Sequence, residues 1–452
     1  MNIIRNPNRA RINCLGEQKL LDNIEYKPLV YTTKVDVDNG LLLYNNLTDM
    51  LVLLSSEEIE AIEKADINNP VFKELYKNWY FIPDNVNHSN ICKKLDKFMT
   101  LLTNKIDGTA ITTYIIFPTT DCNARCFYCY EKNVKKYHMT EQTAIDVAKF
   151  IIKKSCGKKV RLHWFGGEPL YNSKAIDIIT SVLGENSIDY ISSMISNGYL
   201  FDKDLIEKSV NLWNLKRVQI TLDGTEEKYN AIKNYIYPNV NAFERVISNI
   251  QMLLDSGVYV NIRMNMDNHN YENLYELVSY IFEKFSDYKN ISMYSQMLFD
   301  ESTEKHMNRT ADEKINLFKK HQILNEHINE YKIKEKNTLK GYLKNQQCMA
   351  DKPSATTILP DGHLGKCEHF SDKYFWGSIY SDEIAQENID LFRKRVATDE
   401  RCDNCPVLPA CLHHIDICPH MKKCNDTLQQ SHFENVRNRI INTYEEWKKT
   451  NR

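Results

Sequence analysis

The sequence predicts an α/β fold whose centre is a partial barrel of six β-α units, placed between a small α+β module and a loop-rich C-terminal segment. Three observations predict it. Strand-like and helix-like segments alternate regularly from residue 112 to residue 297, which is the pattern of a parallel sheet with helical crossovers. The segments before residue 105 are short and mixed. Helical periodicity weakens beyond residue 348, where Gly, Pro and Cys dominate.

The length of the chain supports more than one domain. It has 452 residues, of which 42% are hydrophobic, and chains of this size usually divide into two or three domains. We expect an N-terminal module over residues 1–105, a barrel with a C-terminal helical connection over residues 106–345, and a cysteine-rich domain over residues 346–452.

Charge and hydropathy exclude two classes of partner. The formal net charge is −2, whereas nucleic-acid binding normally requires a basic excess, so no nucleic acid is expected. No stretch approaches the roughly 20 apolar residues of a membrane helix, and the first residues carry no apolar signal segment. We therefore expect a cytoplasmic protein with no membrane partner.

The N-terminal module is predicted to contain its own strands and helices. Residues 40–47 read as a strand, and residues 55–65 and 89–102 as helices. The Ser-Ser-Glu-Glu run at residues 55–58 is typical of a helix capping box.

The barrel strands are predicted from apolar or alternating runs. They cover residues 114–117, 160–165, 191–195, 218–222, 258–264 and 291–297. An amphipathic helix is predicted over residues 140–154, and the Lys-rich stretch 301–347 is predicted to be helical with Ile315, Phe318 and Ile323 buried. Because ligands of such barrels bind where the strands end, polar residues and glycines at those ends are candidate site residues.

The first cysteine group follows the first barrel strand. The chain has 13 cysteines, and a cytosolic chain of this size does not need a disulfide framework, so clustered thiols indicate metal. Cys122, Cys126 and Cys129 form a CxxxCxxC loop, which would leave one iron of a four-iron cluster without a protein ligand. An open iron can bind S-adenosylmethionine. The alternative is a structural zinc site with His138 as the fourth ligand.

This loop, with Tyr128 before its last cysteine, resembles the signature of the radical S-adenosylmethionine superfamily. The resemblance implies a partial (β/α)6 TIM-like barrel and a 5'-deoxyadenosyl radical that abstracts hydrogen from carbon. The run Gly166-Gly167-Glu168-Pro169 is similar to the family's GGEP element, which binds the methionine amino group.

The resemblance also implies contacts to the cofactor further along the barrel. Thr221 matches a strand-four hydroxyl that contacts S-adenosylmethionine in similar enzymes, and Lys233 stands where relatives carry an arginine that pairs the cofactor carboxylate. That change turns a bidentate contact into a point charge. Further candidate contacts are Ser196, Asn197, Arg263 and Asn265, each of which could instead be an ordinary strand-end polar residue.

The second cysteine group resembles the SPASM domain. Cys348 and Cys367 fit its CX13GX4C element, but the six residues between Cys411 and Cys418 exceed the usual interval of three. The resemblance implies two auxiliary 4Fe-4S clusters, hence three in all. The nearer cluster would use Cys348, Cys367 and Cys418, and the distal one Cys402, Cys405, Cys411 and Cys424.

Two other interpretations of the cysteines stay open. Cys402, Cys405 and Cys411 could instead form a structural zinc site with nearby histidines, which are His413, His414 and His420. Cys14, Cys92 and Cys156 lie outside both groups and are expected to be buried thiols rather than ligands.

Relatives with a SPASM domain chiefly modify peptides or proteins. The N-terminal module stands where peptide-modifying relatives carry a winged-helix-like leader-recognition module, which favours a precursor peptide with a leader as the partner. The strand at residues 40–47 could pair with such a leader by strand addition, or could be internal to its sheet. Glu368 occupies the position of a general base in the sulfatase-maturing relatives. A low-potential electron donor such as flavodoxin or ferredoxin is expected.

Our first interpretation is therefore a peptide maturase that forms a thioether or similar crosslink. The second is an anaerobic sulfatase-maturing, formylglycine-forming enzyme. A third, from another class, is a zinc-dependent peptide-binding protein. A fourth is an enzyme of small-molecule cofactor biosynthesis.

Overall fold

A computed structural model describes most of the chain. The described residues are 1–21, 23–64, 66–107, 109–238, 241–298, 311–331, 338–339, 348–369, 374–392, 400–411, 424 and 426–451. Cys418, His413, His414 and His420 lie outside them. The chain divides into two compact units. One comprises Met1–Gly108, Lys336–Asp351 and Asp390–Arg452, and the other Thr109–Glu335 with Lys352–Ile389. The residues predicted as one C-terminal domain thus contribute to both units.

The N-terminal part of the first unit is an α+β structure. Its elements are β1 (Asn2–Arg5), α1 (Arg9–Leu15), β2 (Tyr26–Pro28), β3 (Thr32–Val37), β4 (Gly40–Asn45), β5 (Met50–Leu54), α2 (Ser56–Glu63), α3 (Pro70–Lys77), β6 (Phe81–Pro83) and α4 (His88–Asp107). The predicted capping box is confirmed, because Ser55 and Glu58 each bond to the backbone N–H of the other. The antiparallel sheet has the order β1-β5-β4-β3.

The strand predicted over residues 40–47 is β4, and it is internal. It pairs with β3 on one side and β5 on the other, so both rows of its backbone hydrogen-bonding groups are used. The hypothesis that this strand accepts a leader peptide by strand addition is therefore wrong. Among the described strands of this sheet, β1 and β3 are the edge strands and pair on one side only.

The second unit contains the predicted barrel. Its elements are β7 (Thr113–Thr119), α5 (Glu141–Ser155), β8 (Val160–Gly166), α6 (Ser173–Glu185), β9 (Tyr190–Ser196), α7 (Lys203–Asn211), β10 (Leu215–Thr221), α8 (Glu226–Lys233), α9 (Ala242–Asp255), β11 (Tyr259–Met266), α10 (Tyr271–Phe285), β12 (Ile291–Met297) and α11 (Ala311–Glu330). The strands β7 to β12 are consecutive, parallel neighbours in one sheet. The predicted α/β fold and its six strands are confirmed.

Apolar and polar side chains alternate along the barrel strands, so the apolar ones pack under the helices and the polar ones face the barrel interior. Val218, Ile220, Val260 and Ile262 are fully buried and pack in the main hydrophobic core with the helices, while their neighbours in sequence are polar and partly buried. Successive side chains of a strand point to opposite faces. The face away from the helices is therefore the polar one.

The sheet continues beyond β7 with three short strands that the sequence did not predict. They are β13 (Ala355–Ile358), β14 (His363–Gly365) and β15 (Gly377–Ser378). β13 runs parallel to β7, with Thr357 opposite Ile115. This places the turn that carries Cys367 in the barrel unit.

The remaining helices are short except for the last. They are α12 (Gln386–Leu391), α13 (Glu400–Asp403) and α14 (Asp426–Thr450). In α11 the expected buried face is shifted, because Ile323 is 48% exposed and Phe318 only partly buried, whereas Leu317, Leu324 and Ile328 are buried. The side chain of Ile315 lies outside the described residues. None of the described helices has an apolar stretch long enough to cross a bilayer.

Candidate functional site

The loop with Cys122, Cys126 and Cys129 follows β7 at the C-terminal edge of the sheet. The hydroxyls of Thr119 and Thr120 anchor it, since the Thr119 hydroxyl donates to the Tyr137 carbonyl at 2.8 Å and the Tyr137 N–H donates to Thr120 Oγ1 at 2.8 Å. The linker after α8 holds the other side. There the Arg125 N–H donates to the Lys233 carbonyl at 2.8 Å, and the Ile236 N–H donates to the Asn123 carbonyl at 3.0 Å.

Gly166 and Gly167 bring the end of β8 against this loop. The N–H of Gly167 donates to the Thr119 carbonyl at 3.2 Å. A Cβ on Gly166 would stand 2.2 Å from the Thr119 carbonyl oxygen, and one on Gly167 would stand 2.2 Å from that of Asp121. Gly166 also has φ +114°, which L side chains rarely adopt. Both positions therefore require glycine, because backbone packs directly on backbone. Pro169 then opens a single 3-10 turn, Pro169–Asn172.

Glu168 is fully buried and its carboxylate is fully engaged. It accepts from the Ser196 hydroxyl at 2.9 Å, from the Asn197 N–H at 2.7 Å and from the Leu170 N–H at 3.2 Å. Burial, only partly offset by these bonds, raises the pKa of Glu168 to about 7. The sequence predicted Glu168, Ser196 and Asn197 as separate cofactor contacts. The structure joins all three in one network that ties β8 to β9.

Asn197 also connects this network to the cysteine loop. Its side-chain N–H group donates to Asn123 Oδ1 at 2.7 Å and lies 3.8 Å from the sulfur of Cys122. Asn123 is fully buried, and its side chain also hydrogen-bonds Tyr237. Asn123 was missed from the sequence, although it lies inside the cysteine motif.

A buried ion pair lies under the loop. Lys233 Nζ is 2.9 Å from Asp223 Oδ2, with side-chain exposures of 3% and 0%, and it donates to the Tyr128 hydroxyl at 3.0 Å. Tyr128 also hydrogen-bonds Asp223. Burial disfavours the ammonium, but Asp223, Tyr128 and Cys126 together raise the pKa of Lys233 well above its usual range. The ammonium predicted to meet a cofactor carboxylate is therefore paired with Asp223, a strand-end residue whose pairing with Lys233 the sequence did not predict.

Three further predicted residues lie on the interior side of neighbouring strands. Thr221 of β10 is opposite Arg263 of β11, and Arg263 Nε donates to Asn265 Oδ1 at 2.9 Å. Asn265 N–H donates to Asp223 Oδ1 at 3.1 Å. These contacts bring Thr221, Arg263 and Asn265 together at the carboxyl ends of their strands.

Cys367 and Glu368 line a cavity of about 610 Å³ in the barrel unit. Tyr130 and Glu131, directly after the first cysteine loop, line it too. Burial raises the pKa of Glu131 to about 7, with Lys136 opposing and Glu368 reinforcing the shift. Glu368 Oε2 is buried without a hydrogen-bond partner among the described residues, and Oε1 is 3.9 Å from His369 Nε2. Glu131 was missed because its importance depends on this tertiary contact.

The other described cysteines of the second group lie in the first unit. They are Cys348, Cys402, Cys405, Cys411 and Cys424. Cys402 and Cys405 pack into a core with the N-terminal elements. Of the cysteines outside both groups, Cys14 is buried and Cys92 is partly buried. Cys156 is exposed, so the expectation that it is a buried thiol is wrong; it ends α5 in a left-handed conformation.

The donor set of the first loop fits an iron-sulfur cluster. Burial, with the Glu168 carboxyl next, raises the pKa of the Cys122 thiol to about 12, and burial also raises the pKa of Cys126 and Cys129. Thiolates at this place therefore require a bound cation. No three His, Cys, Asp or Glu side chains of the described residues converge as the ligands of a single ion do.

Comparison with known proteins agrees with this geometry. The profile of the radical SAM superfamily matches residues 116–281. The GTP 3',8-cyclase of Clostridium perfringens (strain SM101 / Type A) is 28% identical over 187 residues, which are 40% of this chain and 55% of that protein. The radical SAM cyclopropyl synthase TigE of Paramaledivibacter caminithermalis is 23% identical over 260 residues, or 53% of each chain. The chain spans about half the length of these curated relatives.

Solved structures share the fold over a longer stretch. Streptococcus suis SuiB bound to precursor peptide SuiA has a TM-score of 0.54 at 14% identity, covering 90% of this chain and 100% of that chain. Native anSMEcpe with bound AdoMet has a TM-score of 0.54 at 17% identity, covering 75% of this chain and 99% of that chain. A radical SAM domain implies S-adenosylmethionine and one 4Fe-4S cluster. Residues 116–281 of this chain are a radical SAM domain, and they include the Cys122 loop at the barrel edge.

Proposed function

We propose that this chain is a radical SAM peptide maturase that acts on a ribosomally made precursor peptide with a leader and forms a thioether or similar crosslink. The observation that carries the proposal is the CxxxCxxC loop packed on Gly166 and Gly167 inside a radical SAM domain. When bound, a cluster with one open iron supplies an electron to S-adenosylmethionine, and the 5'-deoxyadenosyl radical removes a hydrogen atom from substrate carbon.

The residues of this chain would hold and orient these groups. Cys122, Cys126 and Cys129 would hold the first cluster, and the Gly166–Gly167 backbone would meet the methionine amino group. The network of Glu168 with Ser196 and Asn197 fixes that backbone. Thr221, Arg263 and Asn265 would contact the rest of the cofactor from the barrel interior, and Tyr128 and Lys233 support the loop from below.

A peptide substrate is supported by the extent of the fold likeness. The likeness to SuiB includes 90% of this chain, whereas that to anSMEcpe includes 75%. The structure of SuiB holds a precursor peptide, and by analogy we propose one for this chain. Because β4 is internal, an extended leader would have to add to an edge strand, β3 or β1, each of which pairs on one side only among the described strands.

Glu368 is proposed as the general base. Its carboxylate lies in the 610 Å³ cavity, and one of its oxygens has no hydrogen-bond partner among the described residues. A base must be within hydrogen-bond reach of the proton that it removes. A substrate in this cavity would meet that oxygen directly, and closing the crosslink would deliver the proton to it.

We further propose two auxiliary 4Fe-4S clusters. Cys367, with Cys348 and Cys418, would hold the nearer one. Cys402, Cys405, Cys411 and Cys424 would hold the distal one. A flavodoxin or ferredoxin would supply the electrons.

Iron analysis tests the cofactor part of the proposal. We expect about twelve irons in the anaerobically reconstituted protein, about eight in a variant with Cys122, Cys126 and Cys129 changed to Ala, and no 5'-deoxyadenosine from that variant, because each cluster holds four irons. Zinc without iron, with an unchanged absorption spectrum in the variant, would instead support the zinc-dependent peptide-binding protein.

The second candidate is the sulfatase-maturing enzyme, favoured by the fold likeness to anSMEcpe. The two candidates differ in substrate. We would incubate the enzyme with cysteine-containing precursor peptides carrying their leaders and, separately, with a sulfatase-derived cysteine peptide, and follow mass and 5'-deoxyadenosine. A crosslinked product from a leader-bearing peptide supports the maturase. An aldehyde on the sulfatase peptide supports the second candidate.

A further inference from the structure

The cavity that holds Glu368 also contains a second carboxyl group, that of Glu131. Both side chains line the same volume of about 610 Å³, together with aromatic rings that include Phe117, Tyr130 and Phe375. Glu131 is only 8% exposed, so it belongs to the wall of the cavity and not to its rim. A pocket of this size can enclose a long side chain of a peptide.

The carboxyl group of Glu131 has neither a hydrogen bond nor an ion pair with any described residue. Lys136 lies close enough to act on it through its charge. The Lys136 ammonium, however, donates to the backbone carbonyls of Thr120 at 3.1 Å and of Glu131 itself at 3.4 Å. It is therefore bonded to the backbone, and the acid at the wall of the cavity has no cation of this kind to pair with.

The other charged groups of the cavity do not supply that cation. His363 Nδ1 is 3.0 Å from Asp361 Oδ2, and His369 Nε2 is 3.9 Å from Glu368 Oε1. Lys135 is exposed to solvent. Since Glu368 Oε2 is buried without a hydrogen-bond partner among the described residues, the interior presents two incompletely paired carboxyl groups.

Such an interior favours a positively charged ligand. Two carboxyl groups that face one cavity repel each other and lose their hydration, and a buried acid without a partner costs folding free energy. A cation between them offsets both costs, and aromatic faces attract ammonium and guanidinium groups as well. Among the side chains of a peptide, lysine and arginine combine a positive charge with an apolar stem long enough to reach such a wall.

We propose that Glu131 binds the ammonium or guanidinium group of a lysine or arginine of the precursor peptide, and so selects the part of the peptide that enters the cavity. The inference rests on the proposed function, which supplies the peptide and the base Glu368. Glu131 contacts the substrate but makes and breaks no bond. The bound cation holds the peptide so that a neighbouring group meets Glu368 Oε2.

The test uses the full chain and a leader-bearing, cysteine-containing precursor peptide that gives crosslinked product. In a second version of this peptide each lysine and arginine outside the leader is replaced by norleucine, which keeps the stem and removes the charge. The ratio of kcat/KM for the two peptides measures the selectivity for the cation. It would be determined for wild type, Glu131→Gln, Glu131→Asp and the control Glu185→Gln, whose side chain is exposed at the end of α6.

We expect wild type and Glu185→Gln to prefer the cationic peptide by about 30-fold or more, as for a buried charge pair that loses one partner. Glu131→Gln should lose this preference, chiefly through a raised KM for the cationic peptide, and Glu131→Asp should keep part of it. A purely structural role of Glu131 would lower the turnover of both peptides equally, and this result would overturn the inference.

Equal turnover of the two peptides by wild type would also overturn the cation site, while the crosslinked product would leave the proposed function standing. Absence of crosslinked product from every leader-bearing peptide would overturn both.

Discussion

Glu168 and Glu368 each lie beside a cysteine of a proposed cluster site, but the two carboxylates differ in burial and in hydrogen bonding. Glu168 is fully buried and accepts hydrogen bonds from Ser196, Asn197 and Leu170. Glu368 lines an open cavity and keeps one oxygen without a partner among the described residues. A carboxylate whose oxygens are all engaged holds structure, whereas one with an open oxygen can meet a substrate. The hydrogen-bond network of Glu168 is thus a scaffold for the Cys122 loop, whereas Glu368 is the carboxylate that a substrate in the cavity could reach.

The largest effect is expected at the scaffold, in Gly167→Ala. The new Cβ would meet the Asp121 carbonyl oxygen at 2.2 Å and that of Thr120 at 2.8 Å, and neither backbone group can yield without moving the loop. We expect loss of about four of twelve irons and of 5'-deoxyadenosine formation.

Gly184→Ala is the control for this change. Gly184 is in α6, and a Cβ there has nothing within 4 Å. Ala should be neutral or stabilising by about 0.5–1 kcal/mol, because it is the better helix former. Full iron in Gly167→Ala would contradict the scaffold argument.

The next effect is on chemistry, in Glu368→Gln. We expect crosslinked product to fall by roughly 10²–10⁴-fold, the usual contribution of a general base, while peptide-independent cleavage of S-adenosylmethionine and the thermal midpoint stay unchanged. Glu387→Gln, at an exposed position of α12, is the control and should change neither product formation, nor cleavage of S-adenosylmethionine, nor the thermal midpoint. Wild-type product formation by Glu368→Gln would remove the base role and the contrast with Glu168.

Removing the Lys233 ammonium should lower the free energy of unfolding. Lys233→Met leaves Asp223 buried without its partner, which typically destabilises by about 3–5 kcal/mol. The surface pair Lys208–Asp177, 2.8 Å apart, provides the control, since Lys208→Met should cost only about 0–1 kcal/mol. Thermal unfolding under anaerobic conditions compares the two variants. Equal losses of stability would show that the buried pair contributes no more than the surface pair.

The smallest effect is a pH dependence due to Glu168. Its pKa is raised to about 7, so the folded chain keeps a proton that the unfolded chain releases near pH 4.3. This contribution to stability is complete below about pH 4.3 and is lost as the pH rises through about 7, for a total of about 2–4 kcal/mol. The stability advantage of wild type over Glu168→Gln should therefore shrink from pH 5 to pH 8. A constant difference would mean that Glu168 is ionised throughout.

The same contrast explains what could be predicted from the sequence. The barrel strands could be predicted from the local alternation of apolar and polar residues. The Cys122 loop and Gly166–Gly167 could be predicted because each is a motif of residues that are adjacent in sequence. The role of Asp223 was not predictable, because its partner Lys233 reaches it only after α8 folds. Strand β13 was missed since it is short and pairs with β7 from far along the chain.

It was harder still to predict which helix residues and which cysteines are buried. Ile323 and Cys156 are exposed against expectation, because sequence periodicity does not say which neighbour covers a face. The packing of Cys405 with the N-terminal elements depends on contacts between segments that are far apart in the sequence.

That packing has a consequence for how the protein is made. One face of the N-terminal sheet, with Leu42 and Leu51, is covered by Ile440 and Tyr444 of α14, which the ribosome synthesises after the sheet. Until then this apolar face has no cover, and exposed strands in a growing chain are prone to aggregate. A cell making this protein would need to shield this face of the sheet until α14 is made, and expression of residues 1–107 alone should yield insoluble material.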